Sequence, residues 1–450
     1  MSPSEPGSGR EDVGGWKMME QNGPREGRDW VFPFFFIWGG QQFSLIGSQL
    51  AQFALIWYLS RVSATVLATA TMIGILPGVV LGPLVGALVD RWNRRRVMIV
   101  ADGVVALASA GLAYLSWRGL LHPWQVYVAL LIRAVGQGFH WPAMQASTTM
   151  MVPKRHLARV GGLNQAMRGA VEVGGGPLGS LLLEILPFHW IMGIDVVTAL
   201  LAILPLFFVH IPQPTGAAER RKLTLWQDVR LGWKYLWGWP GMSLLLIMSM
   251  VVNFLVIPAF YLTPTVVFQY FQGLPRHLGA MQAGWGLGVV LGGGLILGVW
   301  GGFRRRMVTI LTGLVGIGLG ILIIGLTPAW AFPLAVVGIF ICGLMNGVAI
   351  GPVSALIQSV VPPEMQGRVF TVIMAGTLAV SPLGLAVAGP IADLFGVRFW
   401  YVASGILCTA IGLGGFFVRP ILHLEDRGAA ASPQAQTLPA GADPEEREGG

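Results

Sequence analysis

The chain has 450 residues, 54% of them hydrophobic and only 11% charged, with a formal net charge of +8 and a mean hydropathy of +0.67. Soluble domains carry about 25% charged residues, so a water-soluble globular class is excluded and a membrane class is indicated. The basic excess does not signal a nucleic-acid partner, because the Lys and Arg recur in short clusters between apolar runs.

Residues 1–29 are polar and mixed in charge. They lack the basic-then-apolar layout of a cleaved signal peptide and read as a disordered cytoplasmic tail. A helix needs about 20 apolar residues to cross a bilayer. Six segments meet that need in the first half: 32–58, 64–89, 97–117, 123–151, 160–183 and 187–210. A polar divider follows at 211–240. Within it Leu223, Trp226, Val229, Trp233 and Trp237 recur at helical spacing, and Thr224 with Gln227 forms a capping box. An amphipathic helix on the cytoplasmic face is expected, or a surface helix tucked under the second half. Six more spans cover 241–265, 278–300, 306–327, 331–358, 369–391 and 398–418. Residues 421–450, rich in Ala, Pro, Gly and Glu, read as a second tail. The expected domain plan is therefore 1–29, 30–210, 211–240, 241–420 and 421–450. Trp57, Tyr58, Trp117, Trp124, Trp330 and Trp400 mark span ends as an interfacial belt. Cys342 and Cys408 both fall in apolar runs and offer neither a disulfide framework nor a metal spacing.

With both tails inside, 23 of the 29 basic residues fall in the tails and the even-to-odd connections. Four fall in the other connections, and Arg133 and Arg168 lie within spans. That asymmetry places both termini in the cytoplasm. The connection VPKRHLARV from Val152 is echoed by VPPEMQGRV from Val361, with Arg368 standing 209 residues after Arg159. Pro177-Leu-Gly179 is echoed by Pro382-Leu-Gly384. The expected class is an all-α integral membrane protein of twelve transmembrane helices in two parallel six-helix halves, an architecture of transporters.

Between the second and third spans the chain reads GALVDRWNRRRV from Gly86. Asp90 leads an Arg cluster, and Asn93 stands where a tight turn would call for a left-handed backbone. This stretch resembles the G-x-x-x-D-R-x-G-R-R loop of the major facilitator superfamily, with Asn93 in place of the usual Gly. The opening WGGQQFSLIGSQLAQFALIWYL and the VPPEMQGRVF loop are similar to one branch of it, the multidrug, macrolide and siderophore (enterobactin exporter-like) efflux proteins. The resemblance implies a gating role for Gly86, Asp90, Arg91, Asn93, Arg94 and Arg95. The second-half equivalent, Gly301 to Arg306, keeps the basic cluster and lacks the Asp. Gly176 and Pro177 match the family's helix-packing motif, in which Glu172 replaces the first Gly. The resemblance also implies a central cavity lined by the first, fourth, seventh and tenth spans. Its candidate residues are Gln41, Gln42, Gln49, His140, Trp141, Asn253, Tyr261 and Asn346.

Asp102, Arg133, Arg168, Glu172 and Asp195 lie within first-half spans, and no Asp, Glu, Lys or Arg lies in the interior of those of the second half, where Arg306 and Arg398 stand only at the first position of a span. A charge at mid-bilayer costs about 2.5–3.5 kcal/mol on insertion scales, so such residues find partners or serve function. Glu172 is the first candidate for proton coupling, with Arg133 and Arg168 as its guanidinium partners; the competing reading is a permanent salt bridge. Asp195 and Asp102 follow. No P-loop, zincin or nucleophile-elbow pattern occurs, so an enzyme is not expected. The expected function is proton-coupled efflux of drug-like or siderophore-like amphipathic small molecules by alternating access. The energy source is the proton gradient, with no cofactor and no metal. The expected setting is a monomer in the inner or plasma membrane, in contact with lipid and a small-molecule substrate. The alternatives are an importer with the same fold and a non-transporting receptor or scaffold.

Overall fold

The computed structural model describes residues 30–209, 211, 230 and 233–425. The side chains of Pro83, Leu84, Gly86, Ala87, Asp90, Arg91, Pro363 and Glu364 are outside that description. Among the described residues the chain is helical. The long helices are α1 (Val31–Ser60), α2 (Ala64–Arg91), α3 (Arg94–Trp117), α4 (Pro123–Met151), α5 (Leu157–Ile185), α6 (Phe188–Phe208), α7 (Pro240–Tyr261), α8 (Pro275–Val289), α9 (Arg306–Leu326), α10 (Phe332–Val360), α11 (Pro363–Phe395) and α12 (Val397–Gly415). A π-helical stretch, Val290–Ile296, and a last turn, Leu297–Trp300, extend α8. A short α13 (Arg419–Leu422) follows α12.

Helix starts obey local chemistry. Ser63 Oγ accepts from Val66 N at 3.0 Å ahead of α2, and Pro opens α4, α7 and α8, where a missing N–H costs nothing. Nine of the described helices are long and apolar enough to cross a membrane by length and composition. The three long helices that fall short are α1, α4 and α5. These carry Gln41, Gln42, Gln49 and Gln52; Arg133, Gln137 and His140; and Arg168 and Glu172. They trade hydropathy for polar side chains, several of which face other helices.

The packing repeats. In the first half α1 packs on α5 and α6, α3 on α4 and α6, and α2 on α4. Raising every index by six gives the second half: α7 on α11 and α12, α9 on α10 and α12, and α8 on α10. Two further broad contacts join the halves, α2 with α11 and α5 with α8. The same operation exchanges these two. One buried cluster contains residues of both halves, with Phe53, Trp57, Ala64 and Ala68 meeting Leu262, Leu278 and Leu385. The cluster around Phe34, Met98 and Met144 is built from the first half alone, and that around Met242, Met307 and Leu356 from the second side of the divider.

Two expectations change here. Asn93 does not take a left-handed backbone: its φ is −68° and ψ 108°, and its side chain accepts from Arg96 N at 3.2 Å as the N-cap of α3. An Asn before a helix gains more by satisfying an orphan donor than by turning tightly. The left-handed turn occurs in the second-half loop, at Gly301 (φ 76°) and Gly302 (φ 86°). Residues 421–425, expected in the C-terminal tail, are packed against the bundle. Ile421 and Leu424 are buried, and Glu425 Oε1 accepts from Arg306 N at 2.8 Å at the start of α9. Within the divider, Leu223, Thr224, Trp226, Gln227 and Val229 lie outside the described residues. Trp233 and Trp237 stack with centroids 5.1 Å apart and are exposed, while Leu236 between them is buried.

Candidate functional site

Four helices of the first half share a buried ionic knot. Asp195 on α6 is fully buried, and its Oδ2 takes a direct ion pair from Arg133 Nη1 on α4. The same Oδ2 accepts from Ser109 Oγ on α3 at 2.6 Å, and Oδ1 accepts from Ser48 Oγ on α1 at 3.0 Å. Arg133 also donates to Ser109 Oγ and to the Ser48 carbonyl, both at 3.0 Å. Each oxygen of the carboxylate has a donor, and the guanidinium is spread over three acceptors, which is the condition for a tolerable buried pair.

A second polar layer lies seven residues along each of these helices: Gln41, Asp102, His140 and Ala202 correspond to Ser48, Ser109, Arg133 and Asp195. Seven helical residues rise about 10 Å, so the two layers are stacked two turns apart. Asp102 Oδ2 accepts from Gln41 Nε2 at 3.2 Å, and His140 Nε2 stands 3.4 Å from Asp102 Oδ1. Gln41 Nε2 also reaches the Ala202 carbonyl at 3.5 Å. This layer holds a carboxylate against an imidazole in place of a guanidinium. An ion pair forms here only when the imidazole carries its second proton.

Beside these layers runs a set of adjoining cavities. One of about 370 Å³ is walled by Ser48, Gln49, Gln52, Thr71, Arg133 and Gln137 from the first half and by Tyr261 from the second. A smaller polar one, about 80 Å³, is lined by Gln41, Gln42, Asp102, His140, Trp141, Asn164 and Arg168, and shares Leu45 and Gln137 with the first. A third, about 120 Å³, shares Ile56 and Tyr261 and brings in Phe260 and Trp285, whose rings meet at 4.1 Å.

Of the candidate cavity residues, Gln41, Gln42, Gln49, His140, Trp141 and Tyr261 line these spaces. Asn253 and Asn346 line none of the three, and the Asn253 amide donates to the Ser249 carbonyl of its own helix at 2.8 Å. The expected pairing of Glu172 with Arg133 is not formed, because Arg133 is committed to Asp195. Nor does Arg168 pair with Glu172: its guanidinium lies 3.4 Å from the centroid of the Trp141 ring, a cation–π contact. Glu172 is exposed in the middle of α5 and, among the described residues, makes no hydrogen bond or ion pair. Sequence reasoning missed Ser48, Ser109 and Gln52. Lone Ser and Gln residues in apolar runs carry no signal until their partners are known, although the seven-residue recurrence of polar positions was there to be read.

At the Arg-loop end, Arg94 Nη1 donates to the Ala146 carbonyl at 3.3 Å and Arg95 Nη2 to the Phe207 carbonyl at 2.8 Å. These are carbonyls near the C-terminal ends of α4 and α6, where a helix leaves acceptors unsatisfied and a cation is favoured. Arg306 does the same in the second half, donating to the Ala355 carbonyl at 3.1 Å, 209 residues after Ala146. The backbones of Gly86, Asp90 and Arg91 belong to α2, and their side chains are outside the description. Gly176 lies where a Cβ would meet the side chain of Gln282, so its lack of a side chain lets α5 approach α8.

The model of the Major Facilitator Superfamily matches residues 37–384. Macrolide efflux protein A of Streptococcus pyogenes is 33% identical over 387 residues, covering 85% of this chain and 95% of that protein. Multidrug efflux pump Tap of Mycobacterium tuberculosis is 27% identical over 369 residues, covering 77% and 83%. Among solved structures, the nucleoside transporter NupG superposes with a TM-score of 0.66 at 13% identity over 86% of this chain and 97% of that one. A D-xylose-proton symporter gives 0.61 at 14% identity over 85% and 97%. The chain belongs to the major facilitator superfamily: it is a multi-pass membrane transporter of a small-molecule substrate and not an enzyme.

Proposed function

We propose that this major facilitator exports drug-like or siderophore-like amphipathic small molecules by alternating access, driven by inward proton movement. In this reading all twelve long helices span the cell membrane as two parallel halves. Both termini face the cytoplasm, and the molecule works as a monomer. The observation that carries the proposal is the run of adjoining cavities, two walled by both halves and one within the first half. Its first-half wall offers amides and a held guanidinium, and its second-half wall offers Phe260, Tyr261 and Trp285. Rings supply apolar area and amides a few oriented hydrogen bonds, a combination suited to bulky amphipathic solutes. The macrolide and multidrug efflux relatives support the outward direction and the substrate class.

Coupling is assigned to the second polar layer. Asp102 and His140 share a cavity wall with Arg168 and can exchange a proton with water there. Asp195 cannot be neutralised without leaving Arg133 as an uncompensated buried charge. Glu172, exposed at mid-helix and outside the lining of the three cavities, is a second carboxylate that can take a proton or a cationic substrate in turn. The test is uptake into everted membrane vesicles across a panel of macrolides, cationic dyes and catechol siderophores, with and without a proton uncoupler. Uptake that collapses with the uncoupler is expected. Uptake only into right-side-out vesicles would make the protein an importer, and no energy-dependent movement of any panel member would favour a receptor. Glu172→Gln is expected to change the preference for cationic over neutral substrates. If it alone abolishes proton-driven uptake of neutral ones, coupling belongs to Glu172 instead of Asp102.

A further inference from the structure

Two carboxylates cross from one half of the molecule to the other. Asp393, near the C-terminal end of α11, accepts from Ala64 N at 2.8 Å through Oδ1 and from Thr65 N at 2.9 Å through Oδ2. These are the first two amides of α2. Glu184, near the C-terminal end of α5, accepts from Arg276 N at 3.1 Å through Oε1, in the first turn of α8, and its Oε2 lies 3.7 Å from Arg276 Nη1. Each carboxylate thus caps the N-terminus of a helix in the other half. A helix start presents orphan N–H groups and the positive end of its dipole, so an anion held there is favoured.

The two caps are related by the repeat. Glu184 and Asp393 are 209 residues apart, the spacing that also separates Arg159 from Arg368. Raising helix indices by six exchanges the α5–α8 contact with the α11–α2 contact. Close approach backs both caps. A Cβ on Gly279 of α8 would lie 2.8 Å from Ser180 Cβ of α5, and one on Gly389 of α11 would lie 2.9 Å from Ala68 Cβ of α2. Both sites lie at the end opposite the Arg-rich loops. Trp57 there packs edge-on against Phe268 at 5.8 Å, and Arg61 covers the same ring, which adds further contacts between the halves.

We infer that Asp393 and Glu184 are paired latches that hold the outer mouth of the transporter shut, each by seating a carboxylate on the helix N-terminus of the opposite half. Opening outward must part α2 from α11 and α5 from α8 at this end, which strips both helix starts of their anions at once. The latches therefore set the balance between outward-closed and outward-open forms. Because the carboxylates bind backbone amides, the Arg276 side chain is dispensable. The inference rests on the orientation proposed above, with the Arg loops in the cytoplasm.

The test is labelling of Gln52→Cys, a cavity position, by a membrane-impermeant maleimide added from outside intact cells; Cys342 and Cys408 are buried and leave a low background. Asp393→Asn and Glu184→Gln are each expected to speed external labelling about two- to fivefold, the range of an exposed charge at a helix end, and the double variant by about the product. Asp393→Glu and Arg276→Ala are expected to label at close to the parental rate. A double variant labelled at the parental rate overturns the inference, as does acceleration seen only from the cytoplasmic side. If the double variant does not insert, the single amide variants, compared at equal membrane amounts, decide the matter in the same way. Labelling requires no transported substrate. Faster labelling without drug efflux keeps the latches and defeats the proposed function, whereas uncoupler-sensitive efflux with unchanged labelling defeats the latches alone.

Discussion

The two halves share a packing plan and differ in what fastens it. In the first, α1, α3, α4 and α6 are tied by Ser48, Ser109, Arg133 and Asp195. The positions 209 residues later are Ile257, Gly318, Cys342 and Ser404, with no charge among them. There the helices close up instead. A Cβ on Gly318 would stand 2.6 Å from the Thr409 amide nitrogen of α12, and one on Gly320 would stand 2.5 Å from Cys342 Sγ of α10. Tyr401 adds a neutral clamp, its hydroxyl donating to the Ala259 carbonyl of α7 and lying 3.2 Å from Thr263 Oγ1. Lipid offers helices no hydrophobic reason to associate, so a bundle must use polar fastening or close backbone contact. This chain adds ionic fastening in the first half, where Gly40 and Gly47 of α1 also let α6 approach closely, and relies on close contact and neutral hydrogen bonds in the second. The half with ionic fastening is also the half that contains the buried carboxylates Asp102 and Asp195.

The largest way to break this contrast is to halve the ionic knot. Arg133→Ala or Asp195→Ala leaves an unpaired buried charge and is expected to cost about 3–5 kcal/mol, read as a fall in thermal midpoint in detergent. The joint replacement Arg133→Met with Asp195→Leu is expected to recover much of that loss. At the position matching Arg133, Cys342→Ser is expected to cost about 1 kcal/mol, the ordinary size for a point change. A drop as large as that of Arg133→Ala would erase the distinction between the halves.

The glycine side of the comparison has its own matched pair. Gly320→Ala forces a methyl into the α9–α10 contact and is expected to cost about 1–3 kcal/mol. Gly111, 209 residues earlier on α3, has open space where a methyl would stand, with nothing within 4 Å. Gly111→Ala is therefore expected to be neutral or to gain about 0.4–1 kcal/mol from reduced freedom of the unfolded chain. Equal losses at both sites in the same melting assay would show that close packing is not special to the second half.

The two polar layers within the first half sharpen the comparison further. Asp102→Asn keeps an acceptor for Gln41 and is expected to change stability by about 1 kcal/mol or less. Proton-driven uptake should be lost while substrate counterflow persists, a separation that vesicle assays measure directly. Loss of both would mean that Asp102 holds the cavity together and does not carry the proton. The smallest expected effect is at Asn93. Removing the cap by Asn93→Ala should cost about 1 kcal/mol, and Asn93→Gly only a few tenths. A gain of stability in the glycine variant would restore the left-handed turn that the backbone angles exclude.

Much of the fold was legible because span length is a one-dimensional signal. The α4 range agrees with its expected span at both ends, and α6, α9 and α12 agree closely at their starts. The site was legible only in part. Asp102, Arg133 and Asp195 were visible as charges in apolar runs, but their partners were not. Counted from the connecting loop, Arg133 and Glu172 differ in depth by about 7–8 Å, a gap that tilt and long side chains could close, and depth ignores which face of α4 points at α6. The polar layers became readable only once α1, α3, α4 and α6 were known to be mutual neighbours, since Ser109 alone is an ordinary small residue. Glu184 and Asp393 sit at helix ends, where a carboxylate ordinarily means only solvent.

Leu424 and Glu425 alter how the protein is to be handled and how it is made. Leu424 fills the space above Gly241 at the start of α7, and Glu425 holds the first turn of α9. These residues leave the ribosome after all twelve long helices, so the starts of α7 and α9 cannot take their final packing until translation has passed them. A chain cut at Val418, or a fusion partner joined there, would leave that seat empty. Tags belong beyond residue 425.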